Sequence, residues 1–231
     1  MKKNVWLLAV LAVGSALCAQ ESAPFGKEDV LAAFKQYNPA ALEKAAADDV
    51  YADILNKLVT SYTAPRTEQN RYELIGLVKN FDNSLRLQLL REKYFESRTL
   101  QTMSGTSLAA LNAQTHTQIK QVLQDIFDTT IAVKNIQLGD YKAQLKQVRK
   151  DKTLPAAEKQ PRAAQLNTQI KQLKQEIRQL KQDSKQKVQY TADAYFTALV
   201  ITYESAQPRQ LRAEQSANHD VKANHKKPVA Q

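Results

Sequence analysis

The 231-residue chain has a formal net charge of +10, and 24% of its residues are Asp, Glu, Lys or Arg. A single cysteine excludes an intramolecular disulfide and a thiolate metal cluster, and only five glycines leave little room for a turn-rich β fold. The abundance of Ala, Gln, Leu and Lys favours helix.

Residues Met1 to Gln20 read as an export signal, with a boundary expected at 19. Lys2 and Lys3 supply the positive end, Val5 to Val13 the apolar run, and Gly14, Ser15 and Ala16 the small residues before Cys18 and Ala19. The run is shorter than the roughly 20 apolar residues that cross a bilayer, so cleavage is expected after Cys18 or Ala19. A lipoprotein anchored at Cys18 is the second reading, disfavoured by the bulky Leu17 before it. No later apolar run is long enough to span a membrane, so the mature chain is expected in the periplasm or secreted.

A first helix is expected over 23–38, with Val30, Leu31, Phe34 and Tyr37 apolar and Asn38-Pro39 ending it. A second should run from Pro39 to Tyr62 and close at Ala64-Pro65. Thr67 is a plausible cap for a third helix reaching Leu100, whose apolar face is wide enough to belong inside a bundle. Ser104-Gly105-Thr106 reads as a turn and Ser107 as the next cap.

From Ser107 the helical pattern holds to about Asp151, and after a turn containing Pro155 it resumes near Gln160 and runs to Ser205. On the return arm Leu166, Ile170, Leu173, Ile177 and Leu180 are spaced 4, 3, 4, 3, the heptad signature of a coiled-coil seam. The outgoing arm matches it in reverse. If Leu145 faces Leu166, then Tyr141 faces Ile170, Leu138 faces Leu173, Ile131 faces Leu180, Leu123 faces Val188 and Ile119 faces Ala192. The same register sets Asp140 opposite Lys171. No aromatic residue occurs from Lys142 to Gln189, so the thick core should lie elsewhere.

The expected fold is therefore all-α: a helical bundle body with a long projecting antiparallel coiled-coil hairpin and a disordered C-terminal tail. The body is placed at 20–118, completed by 193–205. The hairpin occupies 119–192 and the tail 206–231.

Charge separates these parts. The hairpin holds 15 Lys and Arg against seven Asp and Glu, a net +8, while body and tail carry about −3 and +3. Such a surplus concentrates acidic partners around the arm. Lys146, Arg149, Lys150, Lys171, Lys174, Arg178, Lys181 and Lys185 are the candidate partner-binding residues. The bland alternative is that these lysines only solvate a coiled coil. Candidate partners are acidic or unfolded polypeptides, anionic envelope polymers and lipid headgroups. Nucleic acid is disfavoured, because the arm has no aromatic platforms on which bases could stack.

No catalytic, cofactor-binding or metal-ligating residue is indicated. His116 stands alone near the hairpin root, and His219 and His225 lie in the tail. The cluster Asp48, Asp49 and Asp53, flanked by Lys44 and Lys57, is explained by a solvated face with i,i+4 pairs. No metalloprotease, nucleophile-elbow or phosphate-loop motif occurs.

In architecture and charge alone, the chain resembles periplasmic chaperones of the Skp/OmpH type, which are small, exported, basic and built around projecting helical hairpins. The resemblance implies a non-enzymatic holdase. It departs from that family in its wholly helical body and greater length, and no residue is carried over. A structural coiled-coil spacer, adhesin-like element or assembly subunit is the alternative, with an enzyme of unfamiliar type a remote third.

Overall fold

A computed structural model describes residues 23–104 and 107–224, with side chains described for 23–100 and 107–206. The expected export signal, Cys18 and the chain end at 225–231 lie outside the described residues. Seven helices follow in order: α1 Lys27–Tyr37, α2 Pro39–Ala47, α3 Asp49–Ser61, α4 Glu68–Lys79, α5 Phe81–Ser104, α6 Leu108–Lys150 and α7 Ala156–Asn224. The fold is all-α, and among the described residues the sole β pairing is one isolated bridge between Phe25 and Ala64.

Two expected helices are each broken once. The helix placed from Pro39 to Tyr62 divides at Asp48, whose backbone is extended. Its carboxylate accepts from the N–H groups of Val50 at 2.9 Å and Tyr51 at 3.1 Å, so it caps α3 instead of continuing α2. The helix placed from Thr67 to Leu100 divides at Asn80. The Asn80 N–H closes α4 onto Gly76, and its carbonyl opens α5 by accepting from Ser84. The break turns Phe81 inward, where it meets Phe34 and Tyr51 edge-to-face at 5.5 and 5.4 Å. Periodicity misses both breaks because the apolar pattern runs on through them.

Phe81 joins Val30, Phe34, Leu55, Val59, Leu74 and Val78 in the core of an N-terminal bundle made by α1–α4 and the start of α5. Asp82, next in sequence, ties its corner. It accepts from Lys44 at 2.6 Å, Tyr51 Oη at 2.9 Å and Asn38 Nδ2 at 3.1 Å. Lys44 therefore serves Asp82 and not the Asp48 cluster, within which Asp53 pairs with Lys57 at 2.6 Å.

The hairpin forms as its heptads require. Ile131, Tyr141, Leu145 and Val148 of α6 pack with Leu166, Ile170, Leu173 and Ile177 of α7, with Leu138 and Leu180 partly buried beside them. Nearer the root Ile119 and Leu123 share a core with Val188 and Ala192. The expected antiparallel register thus holds along the arm. At the root α5 adds a third helix, and Tyr94, Phe95, Phe196 and Tyr203 fill the wider space. α7 starts earlier than Gln160, at Ala156. Its backbone runs on to Asn224, past Ser205 where the apolar periodicity ends and the tail was expected.

Ile177→Ala should cost about 2–4 kcal/mol, the usual range for truncating a buried aliphatic side chain, and Ile177→Asp more; thermal melting followed by circular dichroism checks both. Burial opposes ionisation of Asp82, but its bonds from Lys44, Asn38 and Tyr51 and the Lys44 charge outweigh that and hold its carboxyl below the usual range. A depressed folded-state value means stabilisation present at neutral pH and lost as pH falls through that value. Asp82→Asn should lower stability at neutral pH and flatten the acid limb of the stability–pH curve.

Candidate functional site

The eight candidate cations of the arm, Lys146, Arg149, Lys150, Lys171, Lys174, Arg178, Lys181 and Lys185, are all exposed on regular helix. None is within ion-pair distance of a carboxylate among the described residues. Their placement follows from the seam. Lys146 and Arg149 each come directly after a seam residue of α6, Leu145 and Val148. Lys142 follows Tyr141 in the same way. On α7 Lys171, Lys174, Arg178 and Lys181 follow Ile170, Leu173, Ile177 and Leu180, and Lys185 follows the half-buried Ser184.

Each step along a helix turns about 100°. Two antiparallel helices count in opposite senses when viewed along one axis. Residues directly after a seam position therefore lie on the same broad face of the hairpin, and residues directly before it on the other. A polar cleft of about 400 Å³ bears this out. Gln144, Gln147, Arg162, Gln165 and Gln169, each just before a seam residue on one helix or the other, line it together with Glu68 of α4.

Four of the arm's seven acids take the second face. Asp125, Asp140, Glu176 and Asp183 each precede a seam-facing residue. α4 and α5 lie along that face and supply partners. Arg86 of α5 reaches Asp125 at 2.9 Å. Asp140, expected opposite Lys171, turns instead to α4, where it accepts from Tyr72 Oη at 2.9 Å and lies 3.5 Å from Arg71. The Tyr72 ring meets Tyr141 edge-on at 6.5 Å, and Tyr72 and Ile75 pack with Val133 of α6. Burial first, then the bond to Asp140, pushes the Tyr72 hydroxyl well above its ordinary pKa. Further out Gln144 donates to Glu68 at 3.3 Å. The bundle thus lies against the arm as far as Gln144.

The cationic face has no such cover. Its order from the tip is Arg149, Lys146 and Lys142 on α6, then Lys171, Lys174, Arg178, Lys181 and Lys185 on α7. Where α7 supplies the charge, α6 offers Gly139, Asn135 and Ala132; where α6 supplies it, α7 offers Ala164 and Asn167. An added Cβ on Gly139 would meet open space. Lys150 sits one step further round, on the flank of the face.

Comparison with protein-family models, curated proteins and solved structures returns no match. The arrangement of side chains alone therefore carries the functional argument.

His116 is not alone. Its Nε2 lies 2.8 Å from Asp193 Oδ1, and its ring meets Phe196 edge-on at 5.6 Å. The pair ties α6 to α7 at the root; the register continued inward sets His116 opposite Tyr195, two residues beyond Asp193. His219 and His225 fall where no side chain is described. Among the described residues no group of three His, Cys, Asp or Glu side chains could hold a metal ion, and no helix is long and apolar enough to cross a membrane.

Asp140→Ala should loosen α4 from α6, because Tyr72 and Arg71 lose their shared acceptor. A loss of about 1–3 kcal/mol is expected for a half-buried hydrogen-bonded carboxylate. Faster amide exchange in α4, with the distal hairpin seam unchanged, would locate the effect.

Proposed function

We propose that this chain is an exported, non-enzymatic cell-envelope protein whose basic hairpin holds an acidic or unfolded partner, in the manner of a periplasmic holdase. One observation carries the reading: Lys142 and seven of the eight candidate cations share a face that α4 and α5 leave uncovered, while on the other face Asp125 meets Arg86 of α5 and Asp140 meets Tyr72 and Arg71 of α4. A coiled coil solvated for its own sake needs no such sorting of sign, since pairs of opposite charge solvate it as well. An uncovered field of one sign speeds encounter with acidic partners and makes their binding sensitive to salt. The export signal expected at the N-terminus supports seeking such a partner in the envelope.

A structural role as a coiled-coil spacer or assembly subunit is the second reading. Leu89, Leu100, Tyr190 and Ile201 stand exposed near the hairpin root, where a second copy would bury them. Sedimentation of the mature protein tests that reading directly.

Light scattering of a denatured outer-membrane protein diluted into mature protein tests the first, at low and high salt. Suppression of aggregation that fades with salt, and that is lost when Lys171, Lys174, Arg178, Lys181 and Lys185 become Gln, is the expected result. Glutamine keeps the helix because its propensity is close to that of lysine and arginine. No suppression by the unmodified chain in excess, together with stable self-association, would transfer the assignment to the structural role.

A further inference from the structure

The cationic face is a track, and its form narrows the class of partner. Facing residues on the two helices keep a constant register, so the eight positions from Arg149 to Lys185 can be projected onto one axis. They span about 23 residues of rise, or roughly 35 Å, with a charge every 5 Å or so. Along most of it the charge comes from one helix, while the other presents glycine, alanine or asparagine; between Lys181 and Lys185 α6 instead presents Asp128, which follows Phe127. The result is a single file of cations crossing from α6 to α7, not a broad field.

Apolar contacts are missing from this stretch. Among the described residues the exposed large hydrophobics are Val50, Leu89, Leu100, Tyr190 and Ile201, none of them between 142 and 187. The track gives an unfolded chain's apolar segments nothing to bury against and a bilayer no anchor to insert. It also gives bases no ring to stack on. Six of its eight positions are lysines, compact point charges that bind phosphate without the planar fork by which arginine grips phosphate and carboxylate alike.

We infer that the track from Arg149 to Lys185 binds a linear phosphate polymer laid lengthwise along the hairpin, one repeat unit after another meeting successive cations. This rests on the reading of the arm as an electrostatic binder and names its partner. The ligand's defining properties are linear charge density and length. Affinity should rise with chain length until the ligand covers the track, because each added contact releases further condensed counterions.

Calorimetric titration of the mature full-length protein over a salt series tests this. The ligands are long-chain inorganic polyphosphate, tripolyphosphate, polyglutamate matched in length to the long chain, and phosphatidylglycerol vesicles. The variant K174Q/R178Q/K181Q is compared with K27Q/K35Q/K93Q, which removes the same charge from α1 and α5, and helicity of both is checked by circular dichroism. For long polyphosphate, the track variant should bind at least tenfold more weakly, with the slope of log K against log salt reduced by about 2. The control should change less than twofold, and tripolyphosphate should bind at least tenfold more weakly than the long chain. Equal weakening by both variants, or polyglutamate binding as tightly as polyphosphate, would overturn the inference. Binding of polyglutamate or vesicles without polyphosphate would end it and leave the acidic-partner reading standing. No salt-sensitive binding to any of the ligands would end both.

Discussion

The antiparallel seam between α6 and α7 is the constraint on which the rest depends. It is a row of aliphatic side chains, each stabilising the pair by about 1.5–3 kcal/mol on burial, with Tyr141 the one aromatic in its distal part. Because the row is continuous, neither helix can rotate without exposing it. Every other residue on the arm is then assigned a side by its distance in sequence from the seam. Antiparallel pairing makes that assignment identical for both helices; a parallel pair would scatter the residues after the seam onto opposite faces.

The N-terminal helices use one of these faces. α5 joins the hairpin root as a third helix, and the turn at Asn80 directs α4 further along the same side. Arg86 and Arg71 arrive there to meet Asp125 and Asp140. Exposed ion pairs of this kind add little stability, but they decide what remains. Asp125 and Asp140 are drawn to the covered side, and on the uncovered side the eight cations from Arg149 to Lys185 have no carboxylate within ion-pair distance among the described residues. Charge asymmetry between parts of the sequence has thereby become asymmetry between the two sides of one element.

The small bundle of α1–α4 fixes where that cover ends. Its core is held by the Phe34–Phe81–Tyr51 ring contacts and the Asp82 corner, and Tyr72 and Ile75 carry it onto α6 at Val133. Beyond Gln144, Glu68 reaches toward the hairpin across the polar cleft. The same side chains that hold the bundle to the arm thus define how much of the arm is free to meet something else.

Much of this was legible in the sequence, because local periodicity and charge are properties of neighbours along the chain. The all-α class followed from composition. The hairpin register followed from the 4, 3 spacing of Leu166 to Leu180 and its mirror in Ile119 to Leu145, since a seam of fixed period admits few pairings. The surplus of cations on the arm needed only counting. What periodicity could not show was where a helix stops for a reason unrelated to its apolar face. Asp48 breaks one helix by capping another, and Asn80 breaks one so that Phe81 can enter a core built by residues some 50 positions earlier. Nor could sequence spacing assign Asp140 to Tyr72 and Arg71, 68 and 69 residues away, over the nearer-seeming Lys171. Which face of the hairpin is covered depends on the path of α4 and α5, and that path is set by long-range packing. The sequence by itself determined that the arm is basic; only the tertiary structure decided on which side the charge is left free.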